Sequence, residues 1–480
     1  MASMFPISFS VRVPVSLAAA AGAVFMAAVA WAQPPAPTPA APPALSAADR
    51  ALMVQALRDT EEAAATGAED AQLKAAVVRH AQRELGQRLR PSAVDRMWAV
   101  QPPRRDVAAE LAAAQAGGRL GSWLAALSPT NRQYRLLQAA ERRYEAMVAA
   151  GGWTSLPGKA KLKEGDRSAE VEALRVRLSA EGYGQSTAPE LDRFDPALTA
   201  ALAAFQRRHN LTDDGVLGPE TRTALNVPAQ ARLDQIRANL ERWRWMPRNL
   251  PAERMMVDIG GQRAALFQGG RPILRMKIVV GDPKHHTPMF ISKINAVVFN
   301  PPWLVPTSIA SKEIWPKVRR DPGYLARGDY IVSSGRLIQQ PGPKNSLGQL
   351  KFDLPSPFGV YLHDTPSKGA FGKRNRALSH GCMRLEKPRD LAVILLARQG
   401  WSEADVDQAI AAGATRRVDL KTTVPLYVSY WTVVADEAGE IDFKSDVYGW
   451  DRKLAAALGP EPVRRAALPR TGTDCADPRR

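Results

Sequence analysis

Two short stretches limit how this chain can fold. Gly359-Val360-Tyr361-Leu362-His363 alternates like a strand and ends in a histidine, while Ser379-His380-Gly381-Cys382-Met383-Arg384 holds one of only two cysteines in 480 residues. His363 precedes Cys382 by 19 residues, too far for one helical turn and natural for two adjacent strands joined by a loop. A thiol attacks as its thiolate, and an imidazole with cationic neighbours such as Arg384 is expected to lower its pKa toward neutrality. Gly381 permits backbone conformations that other residues resist, so the amides around Cys382 can converge on one oxygen. Asp364 offers a side chain or a carbonyl to orient His363. Taken singly, a cysteine is usually a small buried hydrophobe and a histidine a satisfied structural residue. Their concentration here points to nucleophilic chemistry.

Together these residues resemble the active-site signature of the L,D-transpeptidases, a strand-borne His followed by Ser-His-Gly-Cys-x-Arg. The resemblance implies two-step acyl transfer: Cys382 as nucleophile, His363 as base, Gly381 and Cys382 amides holding the oxyanion, and Asp364 orienting the base. It places substrate contacts on His380, Arg384, Ser379 and Tyr361. The implied donor is a peptidoglycan tetrapeptide stem losing its terminal D-alanine, the acceptor an amine on a neighbouring stem, and the cofactor none. No metal is expected, because His285-His286 has no third ligand at metal-site spacing nearby. Two alternatives stay open, a hydrolase using water in the same site and a wall-binding scaffold with an idle site. The complete His/Cys set disfavours the scaffold.

At the start of the chain, residues 1–32 contain one charged residue, Arg12, then an apolar run and Ala30-Trp31-Ala32, the form of a secretory signal. An uncleaved run would serve as a membrane anchor. Export implies a periplasmic, wall-associated protein. A disulfide between Cys382 and Cys475 is disfavoured by the Pro- and Arg-rich surroundings of Cys475, in a tail (453–480) expected to be disordered. The net charge is +17, and in an exported protein the expected partner of that charge is an anionic envelope polymer, not nucleic acid. Oligomeric state has no sequence signature here.

The overall expectation is an α+β chain. Residues 33–45 read as a Pro/Ala-rich tether. Residues 46–160 read as a helical scaffold domain, capped at Ser46 and broken at Gly117-Gly118 and Gly151-Gly152, with Tyr134, Leu137, Tyr144 and Val148 packing a core. Residues 162–226 read as three helices and also resemble the peptidoglycan-binding domain of wall enzymes, through Phe194-Asp195, Phe205-Gln206, Arg208-His209 and Asp214-Gly215. A basic, Trp-rich connector (227–249) forms a seam. Residues 250–452 read as a mainly β catalytic domain opening with antiparallel strands. The proline- and glycine-bordered 303–350 resembles the capping insertion of the long-form L,D-transpeptidases. Helices are expected over 388–399 and 401–411, then a strand over 424–434.

Overall fold

The computed structural model describes residues 45–58, 60, 62–184 and 190–460. The expected signal, most of the tether, Cys475 and residues 461–480 of the tail lie outside these residues, whereas residues 453–458, read as the start of a disordered tail, continue the helix Trp450–Leu458, which buries Leu454 in the core. Among those described, no helix is long and apolar enough to cross a membrane.

The first third is helical for the reasons its sequence suggests. Ser46 accepts the Asp49 amide at the start of Ala47–Leu57, and Asn131 caps Arg132–Ala149. Helix Val107–Ala116 stops at Gly117-Gly118, and Arg132–Ala149 stops before Gly151 and Gly152, both of which have positive φ. Met53, Leu57, Leu73, Val77, Leu111 and Leu120 form one small core. Tyr134, Leu137 and Tyr144 join a different one, with Leu240, Trp431 and Phe443 from far along the chain, and Val148 packs at its margin.

Helices Ala169–Ala180, Pro196–Arg208 and Pro219–Leu225 enclose Val171, Leu174, Phe194, Leu202, Phe205 and Leu217. Asp195 caps the second helix. In the following turn the Asp214 carboxylate accepts from the Val216 amide and from Gln206 Nε2. Residues 227–249, read as a connector, are mostly one helix, Ala229–Arg244, buried on nearly every side. Three of its buried arginines meet carboxylates: Arg237 pairs with Glu141 and Glu145, Arg242 with Asp451, and Arg244 with Glu84 and, within the helix, Glu241. The tryptophans do form a seam. Trp243 stacks on Trp431, and Trp245 meets Trp98 with ring centroids 5.8 Å apart.

The remainder is sheet-rich. Strands β1 (Arg254–Asp258), β2 (Arg263–Gln268), β3 (Arg271–Gly281) and β4 (Phe290–Phe299) come first. An insertion holds β5 (Trp303–Leu304), β6 (Tyr330–Ser333) and β7 (Arg336–Gln339). Then follow β8 (Leu350–Asp353), β9 (Leu362–His363), β10 (Ala377–Ser379), β11 (Met383–Leu385) and β12 (Arg416–Ser429). A hairpin of β13 (Val433–Ala435) and β14 (Ile441–Phe443) follows. Hydrogen-bonded neighbours run β3-β11-β9-β8-β4-β12-β1-β2 and return to β3, so the sheet closes on itself, with β10 added to β3. The first three strands are antiparallel as expected, but β1 with β12, β9 with β11, and β3 with β10 are parallel. Val257, Leu266, Ile278, Phe352, Leu362, Met383 and Leu426 fill the interior. Helices Pro388–Ala397 and Glu403–Ala411 add Leu391, Leu395, Leu396 and Val406 to it.

Two boundaries differ from the sequence reading. β12 begins at Arg416, not 424, because its first residues pair with β4 despite being polar and exposed; it ends at Ser429, and Val433 starts a separate strand. The 303–350 insertion is a small unit of its own, with the sheet β5-β7-β6, short helices, a π-helical turn at Ala310–Ile314, and a core of Val305, Ala310, Ile314 and Leu337. The helical third is also tied to the barrel directly, since Met97 and Ala99 exchange backbone hydrogen bonds with Met289 and Trp98 enters the barrel core.

Candidate active site

The parallel pairing of β9 with β11 builds the site. Met383 lies opposite Leu362 and Arg384 opposite His363, which sets Cys382 opposite Tyr361. Met383 and Leu362 point into the core at 0% exposure. By strand alternation, Tyr361, His363, Cys382 and Arg384 share the other face. The register puts His363 and Cys382 on one face of the paired strands, diagonally across from each other.

His363 is buried, and its Nδ1 donates to the Asp364 carbonyl at 2.5 Å. That bond fixes the tautomer and leaves Nε2 with its lone pair. Of the two ways Asp364 could orient the base, the structure uses the backbone. Its carboxylate instead accepts the Gln349 amide at 2.9 Å and pairs with Lys368, holding the end of the insertion. The His363 pKa is lowered to about 4, by burial first and then by the Arg384 charge, against the Asp364 carbonyl.

The Cys382 thiol departs from expectation. Burial pushes its pKa up, and this outweighs the Tyr361 amide and hydroxyl at the sulfur and the Arg384 and Lys351 charges, all of which pull it down. At neutral pH the pair is therefore a neutral thiol beside a neutral imidazole, not a preformed ion pair.

The turn before Cys382 is tightly held. Gly381 has φ +108°, a conformation that favours glycine. Its amide donates to Ser379 Oγ at 3.2 Å, and Ser379 Oγ donates to the Cys382 carbonyl at 2.6 Å. Ser379, expected to touch substrate, is buried at 2% exposure and pins this turn instead. The Gly381 amide, expected to face an oxyanion, is engaged by that hydroxyl. The Cys382 amide has no backbone acceptor among the described residues. Thr287 accepts from the Gly281 amide and donates to the Gly381 carbonyl at 2.8 Å, while Tyr448 donates to the Gly281 carbonyl at 2.6 Å, so the end of β3 braces the turn.

The other expected contacts lie around this centre. Arg384 is partly buried and makes no ion pair among the described residues. Tyr361 touches the sulfur, and the Trp303 indole of the insertion donates to its hydroxyl. His380 is exposed, with Nε2 at 2.6 Å from Glu313 Oε1 on the insertion and its ring 4.6 Å from that of His285. The insertion thus touches the site at Trp303 and Glu313. Sequence reasoning missed Glu313, Lys351 and the brace Thr287-Tyr448. For Lys351, the alternation Leu350-Lys351-Phe352-Asp353 carried the signal, since it turns Lys351 to the His363 face of β8. Glu313 had none. Among the described residues no cluster of His, Cys, Asp or Glu suits a metal ion.

Three family models match the chain: "L,D-transpeptidase catalytic domain" over 252–416, "Putative peptidoglycan binding domain" over 167–225, and "Scaffold domain" over 39–140. A "Putative L,D-transpeptidase" of Haemophilus influenzae is 32% identical over 223 residues, covering 42% of this chain and 45% of that protein. The chain thus spans less than half the length of that relative. Among solved structures, an L,D-transpeptidase from Mycobacterium smegmatis aligns over 37% of this chain and 58% of its own (17% identity, TM-score 0.21). One from Xylanimonas cellulosilytica aligns over 57% and 99% (15%, 0.18), and at such scores these likenesses carry no weight. Residues 252–416 thus match the L,D-transpeptidase catalytic domain and form most of a barrel that carries His363 and the Cys382 turn, and residues 167–225 ahead of them match a peptidoglycan binding domain.

Proposed function

We propose that the chain cross-links peptidoglycan stem peptides through an acyl-enzyme on Cys382. The observation that carries this is the β9–β11 register, which puts the thiol and a tautomer-fixed imidazole on one face of paired strands. His363 Nε2 takes the thiol proton as sulfur attacks the carbonyl between the third stem residue and terminal D-alanine. The tetrahedral oxyanion is held by the Cys382 amide, joined by the Gly381 amide if Ser379 Oγ releases it. The imidazolium returns its proton to the departing D-alanine nitrogen, leaving a thioester. An acceptor amine then attacks that thioester, gives its proton to His363, and expels the thiolate, which recovers a proton from the imidazolium.

Arg384, without an ionic partner among the described residues, is suited to a stem carboxylate. Residues 303–350 act as a cap whose contacts at Trp303 and Glu313 limit water, which favours an amine acceptor over hydrolysis. Residues 1–32 would export the chain to the periplasm, where its substrate lies. The test is mass spectrometry of the protein with purified disaccharide-tetrapeptide. A Cys382 adduct lacking D-alanine, followed by cross-linked dimer, supports the proposal. Tripeptide alone would make the chain a hydrolase, and unchanged substrate an idle scaffold.

A further inference from the structure

A cleft of about 1310 Å³ opens between the peptidoglycan binding domain, helix Ala229–Arg244 and the barrel, and none of the site residues named above lines it. It exceeds the ~300–1,000 Å³ usual for small-molecule sites, which suits a segment of polymer. Its charge is one-sided. Arginine and lysine outnumber carboxylates in its lining by eight to four, and two of those carboxylates are ion-paired, Glu220 to Arg374 and Asp451 to Arg242 at 2.5 Å, while Asp234 and Asp446, among the described residues, accept only from neutral groups. Arg232, Arg263 and Arg452 line it too, and make no ion pair among the described residues. Arg376 is held only by the carbonyls of Gln262, Ile278, Lys373 and Arg374. Arg232 is itself buried, its guanidinium 4.7 Å over the Phe443 ring, and a buried cation at a cleft wall focuses positive potential into the opening. Arg374, whose partners Thr212 and Glu220 belong to the binding domain, starts the segment that runs through β10 into the Cys382 turn.

We propose that this cleft seats a carboxylate-bearing glycopeptide strand, a stretch of the wall polymer next to the one entering the active site. The proposal rests on the wall-polymer reading above and deepens it: the binding domain grips the strand jointly with the barrel, not by its outer surface alone. The test uses the full chain carrying Cys382→Ala, so that nothing turns over, with soluble uncrosslinked glycan chains bearing tetrapeptide stems. Arg263→Glu with Arg452→Glu, both exposed, should raise Kd roughly tenfold or more. Ala231→Trp, exposed on the helix and lining the cleft, should do so without altering charge. Variants are compared after matching their melting temperatures to the parent. Binding unchanged in either variant overturns the cleft, as does equal competition by polyphosphate, which would mean charge alone. With Cys382 present, both variants should be acylated by a short disaccharide-tetrapeptide at the parent rate. A parent chain that is never acylated would instead sink the transpeptidase reading.

Discussion

At the scale of single residues, burial disfavours charge on both the Cys382 thiol and the His363 imidazole, so in the proposed reaction charge would develop only as the substrate reacts. Because the His363 Nδ1 proton is fixed on the Asp364 carbonyl, His363→Ala removes the proposed base, and acyl-enzyme formation should slow by roughly 10²–10⁴-fold, read by intact-protein mass spectrometry. Cys382→Ala should abolish the adduct and Cys475→Ala leave it intact. An adduct on the Cys382→Ala protein would refute the assignment. Acid sensitivity follows from the imidazole. With His363 titrating at about 4 in the fold and near 6.5 unfolded, the native state binds fewer protons between those values, so stability rises with pH across that window. Roughly 3 kcal/mol should be lost between pH 6.5 and 4, and acylation should fail below about pH 4. Arg384→Gln removes a charge that opposes the imidazolium and should shift the acid limb of a pH–rate profile upward. An unmoved limb would mean that Arg384 acts only on substrate. That the segments bearing His363 and Cys382 are neighbouring strands was legible, because the alternation ending at His363 and the spacing of 19 residues suit two strands joined by a loop. Protonation states were not, since burial is set by residues such as Leu362 and Met383 that pack the strands, and it reverses the simple expectation from an adjacent arginine.

Among elements, the Cys382 turn depends on the loop after β3. Thr287→Val keeps the volume but deletes both the acceptor for the Gly281 amide and the donor to the Gly381 carbonyl. The melting midpoint should fall by a loss of about 1–3 kcal/mol, with acylation slowed. Equal acylation in a folded Thr287→Val protein would show that the turn holds itself through Ser379. Most elements could be read from sequence, because their caps and periodicities are local: Ser46, Asn131 and Asp195 all cap the helices they precede. The parallel pairing of β9 with β11 could not, because Leu362-His363 and Met383-Leu385 are too short to declare a direction. The polar start of β12 was hidden for a related reason, as its ladder with β4 satisfies backbone groups whatever the side chains.

For the whole molecule, the buried helix Ala229–Arg244 is the hub on which the helical third, the binding domain and the barrel converge. Its charge reads as surface basicity in one dimension and becomes internal only when Glu84, Glu141, Glu145 and Asp451 arrive from elsewhere in the chain. Glu84 is pushed up by burial, yet Arg244 and the Ser128 bond outweigh this and lower its pKa to about 2. Glu84→Ala would leave Arg244 short of a partner in the interior and should cost roughly 3 kcal/mol in denaturant unfolding. A smaller loss, under about 1 kcal/mol, would mean Glu241 and Tyr134 suffice for it. The closed ring of strands also bears on timing. β1 completes its ladder only with residues 426–429 of β12, some 170 positions later, and Arg242 waits still longer for Asp451. At ~5–20 residues per second of synthesis, that separation is roughly 10–30 s during which β1 has β2 on one edge and no final partner on the other. Such long-range closure makes for slow folding, so the sheet that carries His363 and Cys382 closes only after β12 has been made.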